Sequence, residues 1–426
     1  MLTAALLLFG IVLLALTLAS RAVGRLPLTP AVIYLATGWA AGWLMGAPTL
    51  DQLAEHAAYA TFVTEAAVLI SLLAVGLRLR VPPRLSAWSV ALLMAGPGMV
   101  VTIALTTAAA MWLLALPWPA ALLLAAILAP TDPVLASEVQ IHSERDRDAV
   151  RLSLTAEGGL NDGTALPAVM LALGLMGLHG LGDHGRDWWL YDLAWAIGGG
   201  SLLGIATGLA LGYALRARLA SGDPVARDEL LYVGTVGLAF ALARASSTST
   251  FVVVFTLGVA MMWPFHEALL SAARQALADR LGAFGERVER LIEAASVLSM
   301  GVILHTVPPS WSSLAFACLL VVAARPISVF AVVRRGMMTP QQRRLVAWFG
   351  IRGIGTLFYL AFALAHGVSG DVARELVGAT LTAVAVSILL HGVSATPLMT
   401  AYQRRRRASQ PRDGVAEDLG ARRTPR

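Results

Sequence analysis

The chain has 426 residues, 57% of them hydrophobic and 14% charged, with a mean hydropathy of +0.71. That is too apolar for a soluble domain of this length. Runs such as 1–20, 28–45 and 311–333 supply the roughly 20 apolar residues a helix needs to cross hydrocarbon, without the ten-residue alternation of a membrane barrel. The formal charge of +6 comes from arginine alone, since there is no lysine, and the single cysteine, Cys318, excludes a disulfide framework or a thiolate metal site and is expected to serve packing.

In chain order, hydropathy predicts an all-α polytopic membrane protein of about thirteen transmembrane helices. The spans are expected near 2–20, 28–46, 60–78, 88–116, 118–140, 151–176, 188–216, 229–244, 249–264, 287–306, 312–333, 345–367 and 375–400. The first span starts directly in apolar sequence and is expected to be retained. Arginines alternate between loops. Arg21 and Arg25, Arg78 to Arg84, Arg145 to Arg151, Arg216 to Arg227, Arg334 to Arg344 and Arg404 to Arg407 fall on one side, opposite arginine-poor loops such as GAPTLDQLAEHA and HTVPPSW. The positive-inside rule then puts the N-terminus outside and the C-terminus in the cytoplasm.

Three segments need separate readings. Residues 265–290 mix charge with an apolar stripe at helical spacing, which suits an interfacial helix or a solvated linker. Residues 403–426 are polar and arginine-rich, and a disordered cytoplasmic tail is expected there. Gly200, Gly204, Gly208 and Gly212 line one helix face, for close packing within one subunit or at a subunit interface.

An odd span between two six-span halves would give the second half inverted polarity, a plan with discontinuous helices near the membrane midplane. The breaks are placed accordingly. Pro130 and Pro133 interrupt span 5 around Thr131 and Asp132, and the Gly350 to Gly355 run, Gly353 included, softens span 12. Proline removes a backbone donor and crowds the preceding turn, so carbonyls are freed. With Thr131 and Asp132 they form a set of hard oxygen ligands for a small cation; a plain helix kink is the alternative.

Span 6 carries Glu157, Asn161 and Asp162. Glu157 and Asn161 share a helix face, whereas Asp162 lies about 140° from Glu157, so the two acids should address different partners. A charged residue at the bilayer centre costs about 2.5–3.5 kcal/mol even on translocon scales. One acid is therefore expected to pair with arginine, Arg325 first for Glu157, with Arg352 balancing the local field. The other, Asp162, is left to exchange a proton for a cation, because protonation removes the charge that holds the ion. Glu65, Glu138, Glu293, His305 and His391 read as satisfied or solvated residues near span ends.

The stretches ILAPTDPV (127–134), EGGLNDGTALP (157–167), ARPISVF (324–330) and WFGIRGIGT (348–356) together resemble the monovalent cation:proton antiporter family, in its branch of NhaP-type bacterial antiporters and animal sodium/hydrogen exchangers. The resemblance implies a homodimer with a core domain, about 88–176 and 312–400, moving against a dimerisation scaffold, about 1–80 and 188–306, within a transmembrane domain of residues 1–402. It implies two crossing discontinuous helices, spans 5 and 12. It assigns proton and cation carriage to Asp162, cation binding to Asn161, Thr131 and Asp132, and a structural ion pair to Glu157 with Arg325 and Arg352. An Asn-Asp pair implies electroneutral one-for-one exchange. Two positions depart from many relatives: Gly158 replaces a serine, and Ala74 replaces an acid.

The resulting expectation is a secondary antiporter in a bacterial inner membrane, exchanging a monovalent cation, sodium before potassium, for protons in pH homeostasis. No resident cofactor and no nucleic acid is expected. A channel or uniporter without proton coupling is the competing reading. An intramembrane enzyme is disfavoured, because the sequence has no Gly-x-Ser-x-Gly, His-Glu-x-x-His or Walker A pattern.

Overall fold

The computed structural model describes residues 2–18, 28–79, 85–132, 139, 148–221, 227–265 and 271–409, and among them the architecture is helical with no β-strand. Five stretches are long and apolar enough to cross a membrane: Ala57–Arg78, Trp88–Leu113, Asp183–Ala220, Trp311–Val332 and Gly370–Arg406. Four shorter apolar helices, Pro30–Met45, Trp118–Leu128, Thr250–Phe265 and Ile354–Ala365, accompany them, and all nine overlap predicted spans.

The helices are α1 (Leu2–Leu18), α2 (Pro30–Met45), α3 (Leu50–Glu55), α4 (Ala57–Arg78), α5 (Leu85–Leu93), α6 (Met99–Leu113), α7 (Trp118–Leu128) and α8 (Ala149–Leu175) in the first part. The second part holds α9 (Gly200–Ala220), α10 (Asp228–Ala245), α11 (Thr250–Met261), α12 (Ser271–Ile303), α13 (Trp311–Leu319), α14 (Arg325–Val332), α15 (Pro340–Trp348), α16 (Ile354–Ala365) and α17 (Gly370–Ser409). Wide π turns at Met94–Gly98 and Leu320–Ala324 join α5 to α6 and α13 to α14. Each lies at a proline, Pro97 or Pro326, where the missing N–H and the ring displace the normal ladder.

Helix α11 is apolar on all sides and almost wholly buried, as a helix at the centre of a bundle must be. Helices α4, α8, α9 and α10 pack around it. The four-residue glycine stripe of α9 is spent on this contact. Cβ atoms at Gly204, Gly208 and Gly212 would meet the backbone at Val253, Leu257 and Met261 of α11, so the face is covered within the chain rather than offered to a second subunit.

Of the two readings of residues 265–290, the helix is found from Ser271 onward and the solvated linker is overturned. The segment forms the first half of the continuous 33-residue helix α12, with Leu277 and Leu281 buried. Two of its charges are taken up by neighbouring helices. Glu289 accepts from Arg78 Nη2 at 3.0 Å and from Ser71 Oγ at 3.3 Å, and Arg280 Nε meets Asp228 Oδ2 at 2.9 Å. The start of the tail is corrected as well: helix α17 continues through residues 403–409, and Arg406 Nη1 reaches Asp148 Oδ2 at 2.7 Å. Residues 410–426 lie outside the described set. Cys318, expected in packing, is exposed on α13.

Loops assigned to one side by arginine content do meet. Tyr402 on α17 bonds Asp148 Oδ2 at 2.8 Å and takes a bond from Gln342 Nε2 at 3.2 Å, which gathers the ends of α8, α15 and α17. At an arginine-poor end, Thr306 Oγ1 donates to Pro48 O at 2.7 Å.

Candidate functional site

The site forms where the end of α7 meets the break between α15 and α16. Helix α7 ends at Leu128, and Ala129 to Asp132 leave the helical path; Pro133 lies outside the described residues. Helix α15 ends at Trp348, Phe349 is extended, and Gly353 precedes α16 with φ of −165°. The breaks are joined by Asp132 N donating to Ile351 O at 2.7 Å. Asp132 Oδ2 accepts the Ile354 N–H at the start of α16, and Arg352 Nη1 donates to Ala129 O and to Pro130 O, the latter at 2.8 Å. A carboxylate thus caps an orphaned N-terminus and a guanidinium caps orphaned carbonyls, offsetting both half-dipoles.

Helix α8 runs past this crossing, its first turn fixed by the Asp148 carboxylate accepting from Val150 N and Arg151 N. Glu157, Asn161 and Asp162 are each no more than 2% exposed. Arg325 binds Glu157 in a bidentate pair, Nη1 to Oε1 at 2.5 Å and Nη2 to Oε2 at 2.8 Å, and Nη2 also donates to Val346 O and Phe349 O. That geometry satisfies the condition under which a buried pair offsets its desolvation. The arginine passes where a Cβ at Gly350 would stand 2.9 Å from its side chain, so glycine is needed there.

Arg352 is not part of that pair. Its described bonds go to backbone carbonyls, so the expected ion-pair role is replaced by helix capping. Asn161 Nδ2 donates to Thr131 Oγ1 at 2.6 Å, bringing together two of the predicted ligands. Asp162 receives no guanidinium among the described residues. Its Oδ1 has no hydrogen-bond partner among the described residues, as is also true of Asn161 Oδ1 and of Thr356 Oγ1. A Cβ at Gly355 would strike Asp162 Oδ1, so only glycine lets the carboxylate lie against the first turn of α16. There the N-terminal half-dipole favours negative charge. The Asp162 carbonyl accepts from Tyr359 Oη.

Tyr359, Thr356 and Ser387, whose Oγ takes the Arg352 N–H at 3.0 Å, were not singled out from sequence, and Gly350 and Gly355 were read only as part of a helix break. The glycines of GIRGIG carried the only available hint. Glu65 is buried and paired, accepting from Arg244 Nη2 at 2.8 Å and Thr250 Oγ1 at 2.9 Å. His391 is buried too, and its Nε2 lies 3.0 Å from Trp348 O, so it is satisfied rather than interfacial. Glu138 lies outside the described residues. Ala74, where many relatives carry an acid, is buried against α12 near Gly285.

The sequence model of the family described as "Sodium/hydrogen exchanger, transmembrane" matches residues 10–401. The chain belongs to this family. The family is one of transporters, in agreement with the four-motif resemblance and with the absence of enzyme motifs. The sodium/hydrogen exchanger relatives include a K(+)/H(+) antiporter NhaP of Alkalimonas amylolytica, 28% identical over 312 residues that cover 72% of this chain and 51% of that protein. Another is the Na(+)/H(+) antiporter 2 of Zygosaccharomyces rouxii, 37% identical over 102 residues, 23% of this chain and 13% of that protein. The chain thus spans about half the length of the first and far less of the second. Among solved structures, the sodium proton antiporter MjNhaP1 of Methanocaldococcus jannaschii at pH 8 superposes with a TM-score of 0.71 at 19% identity, covering 93% of this chain and 98% of that one. Its electron-microscopy structure gives 0.74 at 19% identity with both chains fully covered. At that identity the likeness establishes a shared exchanger fold.

Proposed function

We propose that this multi-pass membrane protein exchanges a monovalent cation for protons by alternating access, one for one, with Asp162 carrying proton and cation in turn. The observation that supports this most is the contrast between the two acids of α8. Glu157 is bound by Arg325, whereas Asp162, equally buried, has among the described residues an unpartnered oxygen and no guanidinium. A buried carboxylate of that kind needs either a proton or a cation, which is the condition for competition. Asn161, Thr131 and Asp132 are the further cation ligands in this reading. Glu157 and Arg325 hold the geometry, and Arg352 holds the crossing. Sodium is favoured and potassium is the second choice, the two ions for which the similar antiporters are named.

The same reading divides residues 1–402 into a moving core (about 88–176 and 312–400) and a scaffold (about 1–80 and 188–306), related to two inverted six-helix repeats and assembled as a homodimer. It places the protein in a bacterial inner membrane with the arginine-rich end facing the cytoplasm. The test is reconstitution into liposomes holding a pH-sensitive dye, challenged with sodium or potassium gradients. Exchange predicts a dye response to the cation that Asp162→Asn abolishes. A cation flux with no proton movement would replace antiport by a channel.

A further inference from the structure

Helices α14 and α15 are joined by residues 333–339, and beside this turn lies a surface cavity of about 510 Å³ lined by Phe330, Arg335, Met338, Pro340, Arg343 and Arg344 among others. Three guanidinium groups therefore border one hollow. No acid occurs in the sequence between Glu293 and Asp371, so this stretch of chain supplies the turn with no counter-charge of its own. Asp148, at the neighbouring end of α8, is already engaged by Arg406, Tyr402 and two backbone N–H groups. Arg343 is held in place, its Nη2 donating to Phe330 O at 2.6 Å and its guanidinium carbon 4.8 Å above the Phe330 ring. Its Nε is buried and has no acceptor among the described residues. Arg335 and Arg344 are exposed and free of such anchoring.

The apolar part of the lining continues along α14. Ile327 stands one turn before Phe330 on the same face, and the two are 50% and 44% exposed. A ligand with an anionic head and an apolar body fits this sequence of surfaces, whereas a soluble anion would use only the arginines.

We propose that this hollow binds the phosphodiester headgroup of an anionic phospholipid, with Arg335 and Arg344 meeting the phosphate, Arg343 bordering it, and the acyl chains lying along Phe330 and Ile327. The site would be coupled to the transport machinery by the chain itself. Helix α14 begins with Arg325, which holds Glu157, and α15 leads into the break that carries Arg352.

The test uses the full chain in a neutral detergent and counts retained lipid by native mass spectrometry. The added probes are dioleoyl phosphatidylglycerol, dioleoyl phosphatidylcholine and inorganic phosphate. Wild type is expected to retain phosphatidylglycerol in preference to phosphatidylcholine. Arg344→Gln is expected to weaken that retention about fivefold, and Arg335→Gln combined with it about twentyfold or more, following the usual contribution of a basic residue at an anionic surface. Arg374→Gln, on the exposed start of α17 and so at the far end of that helix from Tyr402, is expected to change nothing. Both lining arginines are exposed, so folding should survive their loss, and circular dichroism checks it. Equal retention of the two lipids, unchanged retention in the double variant, or displacement of lipid by inorganic phosphate would each overturn the proposal. None of these readouts requires transport.

Discussion

Asp132 and Arg352 exchange services across the helix crossing: the carboxylate of the first break caps the helix that follows the second, and the guanidinium of the second break caps the carbonyls that end the first. Neither helix end has water to satisfy it at such depth, since Arg352 is 1% and Asp132 5% exposed. The two side chains are therefore expected to be coupled although they form no ion pair. Arg352→Ala should lower stability by about 3 kcal/mol, because it strips a charged donor from two buried carbonyls. Asp132→Ala should cost about 1–3 kcal/mol, and Asp132→Asn less, since an amide oxygen still accepts from Ile354 N. Thermal unfolding of single and double variants in detergent gives the coupling. Strict additivity would show that the two caps act independently.

The Glu157–Arg325 pair makes a different prediction. Removing one partner leaves an uncompensated buried charge, so Glu157→Gln and Arg325→Gln should each destabilise by about 3–5 kcal/mol. The reversed pair, Glu157→Arg with Arg325→Glu, should fail to rescue. Arg325 also donates to Val346 O and Phe349 O, and a carboxylate in its place would face those carbonyls with no proton to give. Recovery of wild-type thermal stability in the swapped variant would show that pair charge alone matters.

How far the sequence revealed these arrangements depended on what each residue touches. Glu157, Asn161, Asp162 and Arg325 stood out as polar groups in apolar helices, and polar side chains there seldom lack a use. The true partners of Arg352 were hidden, because backbone carbonyls leave no side-chain trace. Gly355 was legible only as part of a helix break: its contact with the carboxylate that occupies its missing Cβ position joins residues 193 apart in the chain and exists only after folding. The continuous α12 was left between an interfacial helix and a solvated linker because its charges looked solvated. Glu289 and Arg280 instead find partners on α4 and α10.

Asp162→Asn separates stability from transport. The substitution removes a buried charge that no described guanidinium balances, so thermal stability is expected to stay equal or to rise by about 1 kcal/mol. Transport should be lost. In wild type, saturating cation should raise the unfolding temperature at alkaline pH and do so less as the pH falls, since protons then occupy the carboxylate, and in Asp162→Asn the cation effect should vanish at every pH. Differential scanning fluorimetry with sodium and potassium chloride against an organic-cation control measures all three. A pH-independent cation effect would separate ion binding from Asp162.

Gly355→Ala tests whether the position of the carboxylate, rather than its presence, sets the activity. The added methyl would overlap Asp162 Oδ1, and α16 is tied to α8 by the Tyr359 bond to the Asp162 carbonyl, so the side chain must rotate away from the helix start. Alanine is otherwise a better helix former than glycine, which favours the fold locally by up to about 1 kcal/mol. The expected result is a folded protein whose exchange falls at least tenfold, with a weaker cation-induced rise in unfolding temperature than wild type. Gly355→Ala with undiminished exchange would mean that Asp162 works from a rotamer other than the one lying against α16.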